Sequence, residues 1–137
     1  MRRYLYIIVL MSVVMVTQAG EPMGHLTLLS GYAEMGAMDE GEVKNDTVLV
    51  VNTGTAPLVI SAAFSACRCT RAVHPQEAIH PGDTASIVVT FDAGRRIPGQ
   101  FRKIIRLRSN ADNPVQAIIV RGHVKQPVQR SLSKYAR

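Results

Sequence analysis

The chain has 137 residues, of which 47% are hydrophobic, 19% charged and 5% aromatic, with no tryptophan and a net charge of +6. That length holds one domain of ordinary size rather than several. Two cysteines are too few for a disulfide-dense scaffold, and so few aromatic side chains leave little to stack on bases, which argues against a nucleic-acid partner.

The first segment reads as an address rather than as part of a fold. Arg2 and Arg3 precede Tyr4–Val16, which is apolar apart from Ser12, and Thr17-Gln18-Ala19 then puts small residues where a signal peptidase inspects them. Charge, apolar run and small-x-small in that order are the layout of a secretory signal peptide. The apolar run has 13 residues, whereas a helix needs roughly 20 to span a bilayer. The expectation is cleavage after Ala19 and a periplasmic or secreted chain with no transmembrane segment. No cysteine lies near the cut to accept a lipid anchor.

Residues 20–40 hold Gly20, Gly24, Gly31 and Gly36, too many for a helix. A candidate edge strand lies there, at Leu26–Leu29 or Tyr32–Met38. From Val43 the pattern becomes regular. Val43–Asn52 ends at Asn52-Thr53-Gly54, read as a turn because Asn and Gly tolerate positive φ. Pro57–Ala66 follows, with Leu58, Ile60, Ala62, Phe64 and Ala66 alternating onto one face. His80-Pro81-Gly82-Asp83 is a turn in which Pro sets φ and Gly takes the left-handed position. Thr84–Phe91 puts Ala85, Ile87, Val89 and Phe91 on one side. Ile97-Pro98-Gly99 turns the chain into Phe101–Ser109, where Phe101, Ile105 and Leu107 oppose Arg102, Arg106 and Arg108. Asn110–Pro114 turns again, and Val115–Val124 is the last run.

These runs have a period near two and are punctuated by Pro-Gly and Asn-Gly chemistry, with no helical period after Ala19. With edge strands from residues 22–41 and 69–78, the expected fold is all-β: an immunoglobulin-like antiparallel β-sandwich of about seven strands over residues 41–124. A basic tail, 125–137, follows. The last acidic residue is Asp112, after which Arg121, Lys125, Arg130, Lys134 and Arg137 stand unbalanced.

Two groups of residues are candidates for chemistry. Cys67 and Cys69, spaced Cys-Arg-Cys, sit about 6.6 Å apart on a flat strand, so a disulfide between them needs a bend at Arg68. Burying Arg68 on the apolar face would be costly, which predicts a break or bulge near residues 65–67. Three chemistries stay open: a structural disulfide or thiol pair, a soft-metal site for copper or zinc with His74 or His80, and thiol exchange or an intermolecular disulfide, favoured by Arg68 and Arg71. The second group is a stripe for anionic surfaces. Arg102, Arg106 and Arg108 share one side of their strand, and a hairpin with Val115–Val124 would add Arg121.

No nucleophile elbow, phosphate loop or helical metal motif is present, and the carboxylates are scattered through turns. The expectation is a non-enzymatic binding or assembly module. Its partner would be an envelope protein, a polysaccharide or an anionic surface, with no small-molecule substrate. The alternative is a metal or thiol protein centred on Cys67 and Cys69.

Asn52-Thr53-Gly54, Pro57-Leu58-Val59-Ile60, Cys67-Arg68-Cys69-Thr70, Ile79-His80-Pro81-Gly82-Asp83 and Ile87-Val88-Val89-Thr90-Phe91 occur in an order that resembles bacterial domain of unknown function 1573. Gly99-Gln100-Phe101, Ser109-Asn110 and Gly122 continue the likeness. The resemblance implies an exported, immunoglobulin-like domain and names no biochemical role. The family's glycine between the cysteines is Arg68 here, which puts a positive-φ turn there in doubt.

Overall fold

The computed structural model describes residues 19–94 and 97–126. The expected signal peptide, but for Ala19, and the expected basic tail beyond Gln126 lie outside the described residues. The described residues form eight strands, against about seven expected: β1 (Leu26–Leu28), β2 (Tyr32–Met38), β3 (Val43–Asn52), β4 (Ile60–Ser65), β5 (Thr70–Val73), β6 (Thr84–Asp92), β7 (Gly99–Ser109) and β8 (Val115–Val124). They make two four-stranded sheets, ordered β1-β3-β6-β5 and β2-β8-β7-β4. No helix of the described residues is long and apolar enough to cross a membrane.

Both N-terminal edge candidates are strands, one in each sheet, and residues 26–38 bury Leu26, Ala33, Met35 and Met38 in the common core. One pairing departs from the all-antiparallel expectation. β2 runs parallel to β8, because the chain crosses from β1 in one sheet to β2 at the far edge of the other.

The core is the inward half of each alternating run. Val48 and Val50 of β3, Ile87, Val89 and Phe91 of β6, Ile105 and Leu107 of β7, and Ile118, Val120 and Val124 of β8 are buried between the sheets. Phe91 and Phe101 stack with ring centroids 3.9 Å apart, joining the sheets near one end of the sandwich.

β4 departs from its expected face. Leu58 and Ile60 are buried as read, but the pairing with β7 shifts between Ile60 and Ala62, so Ser61 is an extra residue. One extra residue reverses the facing of everything after it. Ala63 packs on the core and Phe64 points outward, 51% exposed. The strand ends at Ser65, and the chain turns over residues 66–69, close to the break expected at 65–67.

At the opposite end Asn52 organises the loops. It is fully buried, and its Oδ1 accepts from the amides of His25 and Gly54 while its Nδ2 donates to the carbonyls of Ala56 and Ile79. Gly54 is needed for close approach rather than for positive φ: a Cβ there would lie 2.3 Å from the Met23 carbonyl oxygen. Gly82, by contrast, has φ +82° in a turn closed by the Asp83 amide donating to the His80 carbonyl, as its sequence implies.

Candidate functional site

Alternation along β7 sends Arg102, Ile104, Arg106 and Arg108 to the outer face of the second sheet, while Ile105 and Leu107 are buried. The register of β8 then sets their neighbours. Arg102 lies opposite Arg121, Arg106 opposite Ala117, and Arg108 opposite Val115. On the other flank β4 places Phe64 opposite Arg106, and the Arg108 guanidinium sits 5.7 Å from the Phe64 ring centroid. The three β7 arginines therefore project from ground that is apolar: Ile104 is 43% exposed and Val115 is 53% exposed.

Arg121 is on this face but in a different state. Its Nε donates to Glu34 Oε1 at 2.6 Å, a terminal nitrogen lies 2.5 Å from the same oxygen, and its guanidinium covers the Tyr32 ring at 4.1 Å. The Glu34 hydrogen bond raises the Arg121 pKa above its ordinary value, against an opposing effect of burial. Arg121 is thus a neutralised pair at the β2 edge. Arg102, Arg106 and Arg108 have no carboxylate within ion-pair distance among the described residues.

Sequence reading found the arginines and missed Phe64, Tyr32 and Glu34. Phe64 depended on the bulge at Ser61. Tyr32 and Glu34 depended on β2 pairing with a strand some 90 residues later in the chain.

The cysteines lie where the chain crosses between sheets, after β4 and before β5. Cys67 and Cys69 are half-buried, Arg68 is exposed, and the Thr70 amide donates to the Cys67 carbonyl across a tight turn. That turn brings the two Cα atoms to 5.2 Å, with the sulfurs 1.98 Å apart and bonded. No described residue other than glycine has positive φ, so Arg68 fits the turn with ordinary backbone.

The histidines do not gather around them. His74 Nδ1 faces the Pro75 carbonyl at 3.0 Å, and His80 is exposed in the turn beside Ile79, which hydrogen-bonds Leu58 at the Asn52 end. Among the described residues no three His, Cys, Asp or Glu side chains converge as a metal site would need. An open cleft of about 710 Å³ lies beside the cysteine turn, with Arg68, Cys69, Asp92, Ile97, Phe101 and Lys103 in its wall.

Two packed four-stranded sheets, all β, with no helix among the described residues, define an immunoglobulin-like or PapD-like sandwich module. Residues 26–124 match the family described as "Protein of unknown function (DUF1573)", and the chain belongs to that family. A protein of unknown function from Porphyromonas gingivalis W83 is similar in structure, with TM-score 0.62 and 21% identity over 73% of this chain. The match covers 46% of that protein, so this chain spans about half its length. The PapD-like domain 7 of human CEP192 is similar at TM-score 0.57 and 10% identity, over 81% of this chain and 92% of that one. Part of the Vibrio cholerae VesB protease, 32% of its chain, is similar at TM-score 0.55 and 12% identity over 74% of this chain. At such identities these likenesses are of fold alone. No curated protein matches the sequence.

Proposed function

We propose that this chain is an exported, non-enzymatic binding module that holds an envelope protein, polysaccharide or anionic surface through the outer face of the β2-β8-β7-β4 sheet. One observation carries the reading. Arg102, Arg106 and Arg108 project together from that face without a carboxylate partner among the described residues. Like charges on one strand repel and form no ion pair that would favour the folded domain, whereas a polyanionic partner gains from all three at once.

Export rests on the sequence of residues 1–19, and a Cys67–Cys69 bond suits an oxidising compartment. N-terminal sequencing of the protein recovered outside the cytoplasm should begin at Gly20. Recovery with Met1 in place, in a membrane fraction, would contradict the processing.

The binding role is tested by changing the three arginines together to serine. The protein should stay folded and lose its association with the cell envelope.

A further inference from the structure

We propose that the partner of this face is an anionic phospholipid layer, with the arginines on lipid phosphates and Phe64, Ile104 and Val115 set into the apolar region beneath them. The inference deepens the binding reading above and rests on it for the choice of face.

Geometry sets the first requirement. From Arg102 to Arg108 the stripe extends roughly 20 Å, at about 3.3 Å per residue. A partner must therefore present negative charge repeatedly over that distance, as a plane of phosphates does. Guanidinium groups suit phosphate oxygens because their planar fork donates two parallel hydrogen bonds.

The side chains among the arginines set the second. Ile104 lies between Arg102 and Arg106 on β7, Val115 lies opposite Arg108, and Phe64 lies opposite Arg106. All three are large, apolar and about half exposed. The bulge at Ser61 turns Phe64 outward and so adds an aromatic to the charged face instead of the core. A polysaccharide would call for side chains that read hydroxyl groups. Of the neutral polar side chains on this face, Gln100 and His123 pair with each other at one end of the sheet, Tyr32 lies under the Arg121 guanidinium, and the Ser61 hydroxyl donates to the Arg108 carbonyl. Cationic side chains alternating with an aromatic and aliphatics are the composition of a membrane-interface surface.

The test uses the protein as recovered from cells and sedimentation with vesicles. One set contains phosphatidylglycerol and phosphatidylcholine, and the other phosphatidylcholine alone. Beads of an acidic polysaccharide form a third arm. Wild type should bind the anionic vesicles and not the neutral ones. Its partitioning should fall at least about tenfold from ~50 to ~300 mM salt, as exposed charges are screened. The combined Arg102→Ser, Arg106→Ser, Arg108→Ser variant should lose at least about tenfold at low salt. Phe64→Ser with Ile104→Ser should weaken binding about fivefold while leaving its salt dependence in place. Should the triple variant fail to fold, the lipid-charge and salt dependence of wild type decide the matter.

Binding that is equal on neutral vesicles, or unchanged in a folded triple variant, overturns the proposal. So does retention through the apolar run at residues 4–16, which would be indifferent to the arginines. Arginine-dependent retention on the polysaccharide without vesicle binding overturns the lipid assignment and leaves the binding role of the face standing.

Discussion

Replacing Phe91 with alanine should destabilise the domain by about 3–5 kcal/mol, the usual cost of deleting a buried aromatic whose cavity does not collapse. Phe91 is fully buried near the end of β6, between Lys44 of β3 and Thr70 of β5, and its ring stacks on Phe101 from the opposite sheet. The substitution therefore removes a contact that joins the two sheets, and neither sheet can close the gap without sliding on the other. Thr90, one residue earlier, points to the outer face and is only half-buried. Thr90→Ala should cost less than about 1 kcal/mol. Urea unfolding of the two variants gives the comparison, and similar losses would mean that β6 sits one residue out of register.

Asn52→Ala should cost about 3–4 kcal/mol, from four hydrogen bonds worth roughly 1 kcal/mol each and from the burial of groups left unpaired. The Asn52 amide is the common partner of His25, Gly54, Ala56 and Ile79, three separate stretches of chain. A methyl group satisfies none of them, and little water reaches a site with no exposed surface. Hydrogen exchange should show the loss as faster exchange of the His25 and Gly54 amides in particular. If those amides kept their protection, another group would be holding the loops together.

Most of the sandwich was legible because strand alternation is a local property. Val43–Asn52 and Val115–Val124 are strands over the very residues their patterns bound, and the inward residues of β6 and β7 are those the patterns select. What escaped was decided by distant chain. Ala62 and Phe64 continue a perfect alternation in sequence, and only the pairing of β4 with β7 reveals that Ser61 is an extra residue. The parallel pairing of β2 with β8 leaves no trace in either strand's own pattern. Asn52-Thr53-Gly54 was visible as a motif, but its reason was not. Gly54 has no positive φ and instead makes room for the Met23 carbonyl, a contact across some 30 residues.

The candidate site was legible to the same extent. Three arginines at even positions of one strand declare a face, and the structure keeps them on it. Arg121 joins that face by register, yet Glu34 satisfies its charge, which a reading of β7 and β8 alone had no means of finding. For the cysteines, spacing showed that a bond requires a bend, and the turn from Cys67 to Thr70 supplies it.

The measurement that bears most directly on the proposed function is envelope association of the Arg102→Ser, Arg106→Ser, Arg108→Ser protein in cells, read beside its stability. Wild type and a control carrying Thr47→Ser and Ser86→Ala on the other sheet's outer face are fractionated in parallel. Exposed side chains without ion-pair partners cost little to replace, so the triple variant should unfold within about 1 kcal/mol of wild type, the Arg108–Phe64 contact included. The account predicts that its envelope-associated fraction drops at least about tenfold, as loss of several charge contacts implies, while the control stays with wild type. A stable triple variant that fractionates like wild type would contradict the assignment of binding to this face.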